Sequence, residues 1–248
     1  MSLFLYKIFS ALIIFLISIL IAFIPIYRKK SLRHKEGVEL GEALASGIFL
    51  GAAFLHMLPD AVRTFTATYP AINYPVPEII CVAGFLLMLL LERFSLAVSS
   101  ESKNAIPYVL AIVLIVHAFI EGLALGIGST ISEALLLCLA IVAHKGSESF
   151  ALCTTLLRHS VPIKRLIAIV IFFALMSPLG ILLGTTTLLS AHYGLAAIFN
   201  AFAAGTFLYI STLHHVHFHQ HDGERQGLIE FGFLLAGVGM MAVIAVWA

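Results

Sequence analysis

Eight stretches of about twenty largely apolar residues follow one another along the chain, separated by short polar breaks. They run from Phe4 to Tyr27, Val38 to Val62, Glu78 to Val98, Ile106 to Gly128, Ile131 to Leu157, Leu166 to Leu189, Gly194 to Leu213 and Leu228 to Trp247. A bilayer core about 30 Å thick asks for a helix of roughly that length. The pattern predicts an all-α polytopic membrane protein, with eight transmembrane helices in one transmembrane domain spanning residues 1–248. Composition excludes a soluble domain: 61% of residues are hydrophobic and 11% charged, against about 45–50% and 25% in soluble proteins. With a formal net charge of +1 and no basic run long enough to track phosphates, the chain has no nucleic-acid partner. Cys81, Cys138 and Cys153 all fall inside apolar runs and read as small buried hydrophobes, not as a disulfide framework.

Lys and Arg set the orientation, because cytoplasmic loops hold an excess of both. The odd-to-even loops carry Arg28, Lys29, Lys30, Arg33, Lys35, Arg93, Lys103, Arg158, Lys164, Arg165 and Arg225, which is eleven of the 14 bases. The opposite side has Lys7 and Arg63, and Lys145 lies within a span. Both termini are therefore expected outside the cytoplasm. The first span is too long for a signal peptide's apolar region and lacks a small-residue cleavage site, so it is read as a helix.

Against this apolar background a few ionisable residues stand out. A charge at the bilayer centre costs about 2.5–3.5 kcal/mol on insertion scales, so such groups face a partner or a cavity. The fourth span contains His117 and Glu121, the fifth His144 and Glu148, and each pair is four residues apart, on one helix face. His117 lies eleven residues into its span and His144 thirteen into its own, so both pairs approach the midplane although the helices run oppositely. Two imidazoles and two carboxylates form an N2O2 set suited to Zn²⁺, Fe²⁺ or Mn²⁺. Two carboxylates with neutral histidines also balance one dication. Lys145 is one residue from His144 and points about 100° around the helix, which makes it a neighbour of the ligands that offsets their charge. Each residue alone would read as polar glue between helices; two matched pairs at one depth favour a metal site.

In these motifs the chain resembles the ZIP family of divalent-metal transporters. HAFIEGLALGIG (His117 to Gly128) is similar to the family's fourth-helix pattern and AHKGSESFAL (Ala143 to Leu152) to its fifth. GIFLGAAFLHMLPDA (Gly47 to Ala61) resembles the second helix, SPLGILLG (Ser177 to Gly184) the sixth and NAFAAGTFLYIS (Asn200 to Ser211) the seventh. The resemblance implies eight helices in a 3+2+3 arrangement, with spans one to three and six to eight pseudo-symmetric about four and five. It also implies alternating access by movement of one bundle against another. Members with two metals resemble one another in having Asn, Asp and Glu where this chain has Ala118, Lys145 and Ser177. Three lost oxygen donors, one replaced by a cation, imply a single metal here. Prolines common before the acidic ligands are replaced by Ile120 and Ser147.

His56 and Asp60, four apart at the outer end of the second span, read as an entrance relay; Glu78 stands at the same mouth as a helix-start carboxylate. The run HHVHFHQHDGER places His214, His215 and His217 just after the seventh span as a cytoplasmic exit, with a weaker case for Glu42 at the inner end of the second. The expected activity is transport of a divalent transition metal, Zn²⁺ first and Fe²⁺, Mn²⁺ or Cd²⁺ as alternatives, into the cytoplasm across a plasma or cytoplasmic membrane. The metal is cargo, and no other cofactor is expected. The bilayer is the remaining partner; a homodimer is neither required nor opposed by any motif. The rival reading, a membrane-embedded zinc-dependent hydrolase, lacks an HExxH motif or a third carboxylate base. A non-transporting scaffold would leave the midplane charges without a purpose.

Overall fold

The computed structural model describes residues 2–27, 36–98, 106–128, 130–186, 193–214 and 224–246, and among these all regular secondary structure is helical. In chain order the helices are α1 (Leu3–Tyr27), α2 (Glu36–Ala52), α3 (Leu58–Thr68), α4 (Val76–Val98), α5 (Ile106–Ile127), α6 (Ile131–Arg158), α7 (Ile163–Thr186), α8 (Tyr193–Tyr209) and α9 (Glu224–Ala245). A π turn over Ala53–Met57 joins α2 to α3 as one continuous rod, and a second, Ile210–His214, extends α8. The described chain thus folds into eight rods. Five are long and apolar enough to cross a membrane: Leu3–Tyr27, Glu39–Thr68, Pro107–Ile127, Ile163–Thr186 and Gln226–Ala245. Of the others, α4 carries Glu78, Glu92 and Arg93 towards its ends, α6 holds Lys145 and Glu148 mid-length, and α8 is 17 residues long. The chain is an integral, multi-pass membrane protein.

The second rod is longer than the expected Val38 to Val62, ending at Thr68. Its last turns alternate Arg63, Thr64, Thr66 and Thr68 with the buried Ala61 and Phe65, so they form an amphipathic end that an apolar window truncates. Pro59 follows directly on the π turn, where its missing N–H interrupts the backbone ladder of the continuous rod, and Pro162 precedes α7.

The helices pack in two groups that cut across the 3+2+3 division of chain order. In one, α5 lies against α7, and α1 against α6 and α7; in the other, α2 lies against α9, α4 against α8, and α3 against α8. Each group is sewn by glycines at close crossings. A Cβ on Gly122 would fall on the carbonyl oxygen of Ser177, and one on Gly180 on that of Phe119, which locks α5 to α7. Gly47 and Gly237 make the same kind of approach between α2 and α9, and Gly84 and Gly205 between α4 and α8. Without a hydrophobic force between helices in lipid, such backbone contact is what small residues supply. The groups meet chiefly through α2 against α6 and α5 against α8, and these meetings bring larger side chains together, as where Phe207 of α8 packs on the His117 ring of α5 at 4.8 Å.

Cys81, Cys138 and Cys153 are buried free thiols. Lys7 is buried in α1, its Nζ donating to the Gly126 carbonyl at 2.7 Å. That carbonyl belongs to the last turn of α5, where a cation suits both the unpaired acceptor and the helix dipole.

Candidate metal centre

Two antiparallel helices joined by a short break bring His117 and Glu121 of α5 to the facing turns of α6 that carry His144 and Glu148. Helical i, i+4 spacing stacks each pair on one face, and one ligand atom from each of the four residues lies within 4.8 Å of all the others. His117 Nε2 is 2.8 Å from Glu121 Oε1 and 3.4 Å from Glu148 Oε1. His144 Nε2 is 2.5 Å from Glu121 Oε1 and 3.5 Å from Glu148 Oε1. All four residues are buried, with Glu148 and His144 fully so.

Several polar atoms of the cluster have no hydrogen-bond partner among the described residues: both imidazole Nδ1 atoms, His117 Nε2, Glu121 Oε2 and Glu148 Oε1. The 2.8 Å approach of His117 Nε2 to Glu121 is thus a close electrostatic pair with poor hydrogen-bond alignment. Buried, unaligned donors and acceptors are costly, and here they converge. A tetrahedral ion with ligand bonds of about 2.0–2.1 Å separates its ligands by roughly 3.3 Å. The Glu148 spans of 3.4 and 3.5 Å already have that size; the Glu121 carboxylate would withdraw by under an ångström.

Lys145 reaches over this cluster. Its Nζ is 2.7 Å from Glu148 Oε2 and 3.7 Å from Glu121 Oε2, and it lies 4.5 Å above the Phe173 ring of α7. It therefore faces the carboxylate oxygens turned away from the imidazoles. Ala118, next to His117, and Ser177, whose backbone crosses Gly122, are fully buried, and the Ser177 hydroxyl has no hydrogen-bond partner among the described residues.

On one side of the cluster, His56 in the Ala53–Met57 π turn approaches His144 with ring centroids 6.3 Å apart. The π turn inserts an extra residue and rotates the helix beyond it. His56 Nδ1 is 3.0 Å from Asp60 Oδ2, and Asp60 Oδ1 accepts from Arg63 at 2.5 Å. Side-chain exposure rises along this line, from 0% at Glu148 and 8% at Glu121 to 12% at His56 and 26% at Asp60. On the other side Phe207 packs on both imidazoles, at 4.8 Å from His117 and 6.2 Å from His144, and meets Phe49 edge-on at 4.8 Å. Further that way Glu42 is paired with Arg158 at 2.5 Å. His214 closes the π turn after α8, while His215 and His217 lie outside the described residues.

Sequence reasoning passed over Phe207, Phe173 and Arg63. The two aromatics carry no signal that separates them from core residues. Arg63, three residues after Asp60 on a helix, was discoverable from spacing.

These features define a multi-pass helical membrane protein with a buried His/Glu cluster able to bind a metal ion. The model of the ZIP zinc transporter family matches residues 1–107 and 98–245, and the chain belongs to that family. Among its relatives, zinc transporter ZIP1 of Takifugu rubripes is 30% identical over 284 residues, covering 92% of this chain and 93% of that protein. Zinc transporter ZIP2 of Mus musculus is 28% identical over 272 residues, with 87% of each chain covered. Protein zntD of Dictyostelium discoideum is 32% identical over 157 residues, 61% of this chain and 23% of its own. The ZIP1 and ZIP2 relatives are named as transporters, not enzymes.

Proposed function

We propose that this protein carries a divalent transition metal, Zn²⁺ foremost, into the cytoplasm through a mononuclear site formed by His117, Glu121, His144 and Glu148. The observation that carries the reading is the convergence of those four buried side chains, with ligand atoms within 4.8 Å, in a member of a zinc transporter family. The whole chain acts as one transmembrane unit of eight spans with both termini outside, in a plasma or cytoplasmic membrane. The eleven bases on the odd-to-even loops support that orientation.

In this reading a hydrated dication arrives at Asp60 and His56, passes to His144 6.3 Å away, and exchanges water for two imidazoles and two carboxylates. Phe207 and Phe49 close the path beneath it. Release on the cytoplasmic side, past His214, His215 and His217, requires α5 and α6 to move against α2 and α8. The glycine-sewn seams lie inside the groups, so each can move as a body. Lys145 excludes a second ion, holding an ammonium beside the carboxylate oxygens that would otherwise ligate it. A hydrolase reading is less favoured, because the four donors converge on one ion and the imidazole that approaches them, His56, lies on the line that leads out to Asp60, where it serves capture.

The test is uptake by protein reconstituted in liposomes loaded with a zinc-sensitive dye. Wild type should admit Zn²⁺ well above a Glu121→Ala, Glu148→Ala double variant; equal rates would sink the reading.

A further inference from the structure

At the mouth of the path the Asp60 carboxylate is divided between two neighbours. Its Oδ2 lies 3.0 Å from His56 Nδ1, and its Oδ1 accepts from the Arg63 guanidinium at 2.5 Å. Arg63 sits three residues on in α3, with its side chain 66% exposed, so it can swing into water without disturbing the core. Asp60 is 26% exposed and His56 12%, so an ion leaving water meets the Asp60 carboxylate first. A carboxylate that already holds a guanidinium offers an arriving dication less charge and one oxygen fewer. Lys7, the other base assigned to this side, is buried and spent on the Gly126 carbonyl. Among the described residues, Arg63 is the exposed base that pairs with the entrance carboxylate.

We propose that Arg63 is a tethered competitor for Asp60, which an incoming dication must displace, and that it sets the apparent affinity of the capture step. This rests on the reading of the chain as a metal importer. Displacement costs one partly exposed ion pair. Such pairs are worth little in water, which translates to a change of about two- to fivefold in apparent KM. Arg63 touches neither His144 nor the buried cluster, so the maximal rate, set deeper in the path, is untouched by its removal. Its influence is electrostatic and weakens with salt, since screening acts over about 3 Å at 1 M.

The experiment is initial-rate Zn²⁺ uptake across a concentration series in dye-loaded liposomes, with wild type, Arg63→Gln, Arg63→Lys and the Glu121→Ala, Glu148→Ala variant side by side at low and high salt. Arg63→Gln should lower apparent KM about two- to fivefold with an unchanged maximal rate. The gap should close at high salt, and Arg63→Lys should keep the wild-type KM. A purely structural role for Arg63 would lower the maximal rate in both variants and leave KM alone. An unchanged KM in Arg63→Gln, a lysine variant that behaves like the glutamine one, or a gap indifferent to salt each overturns the assignment while the importer reading stands. A wild type no better than the double variant overturns the importer reading, and the capture role falls with it.

Discussion

Lys145→Met separates the account of the buried cluster from a reading in which Lys145 merely fills space. Methionine keeps an unbranched stem and removes the ammonium, together with its contact 4.5 Å above the Phe173 ring. That ammonium is 2.7 Å from Glu148 and 3.7 Å from Glu121. A pair about 4 Å apart is worth about 4 kcal/mol at an effective dielectric of about 20. Its deletion leaves two carboxylates facing each other's charge in a buried site, and breaking a buried pair in this way costs about 3–5 kcal/mol. With the ion present the sign reverses, because the dication supplies the missing positive charge and no longer meets the ammonium beside it. Lys145→Met should therefore unfold at clearly lower temperature than wild type in chelator. It should recover most of that loss in zinc and bind zinc at least about tenfold more tightly, equivalent to about 1.4 kcal/mol. Thermal unfolding of purified protein with and without zinc, with dye-competition measurement of Kd, reads both effects. A variant as stable as wild type in chelator, with unchanged Kd, would refute the reasoning.

Three further outcomes follow from the same geometry. Lys145→Asp exchanges the excluding cation for an oxygen donor and should raise bound metal from one ion per chain towards two by elemental analysis; a constant ratio would count against charge exclusion. Gly180→Ala sets a Cβ against the Phe119 carbonyl and the Leu123 backbone, and should cost about 1–3 kcal/mol in thermal unfolding. Gly239→Ala, with nothing within 4 Å of its Cβ, should be neutral or slightly stabilising, and equal effects at both glycines would contradict the close-packed α5–α7 seam. Phe207→Ala should loosen the closure under the imidazoles and raise metal leak through the protein, seen as dye response without saturation; unchanged saturation would remove Phe207 from that role.

Much of the helix inventory was legible because lipid leaves a chain few alternatives. Apolar runs such as Phe4 to Tyr27 and Ile106 to Gly128 correspond closely to α1 and α5, since their lengths are bounded by polar breaks. The pairing of His117 and Glu121 with His144 and Glu148 was visible for a related reason, as a fixed helical period places each pair on one face at similar depth. Other features were hidden. The π turn at Ala53–Met57 has no marker within AFLHM itself; the one local signal is Pro59 just beyond it, whose missing N–H disturbs the regular ladder. The two packing groups depend on which glycines meet which carbonyls across space; Gly122 and Gly180 are 58 residues apart in the chain yet share one crossing. Lys145 could be placed beside the ligands from its helical angle. That its long stem curls back to Glu148 depends on the room above Phe173, a residue of α7 that no local pattern connects to it.

Zinc K-edge absorption on the purified, zinc-loaded protein tests the central claim most directly, because it reads the ion's own neighbours. The account predicts one ion per chain with a shell of about four nitrogen and oxygen atoms at about 2.0–2.1 Å, the outer-ring scattering of two imidazoles, and loss of that shell in the Glu121→Ala, Glu148→Ala variant. A sulfur shell near 2.3 Å, pointing to the buried cysteines, or a second metal at close range would contradict it.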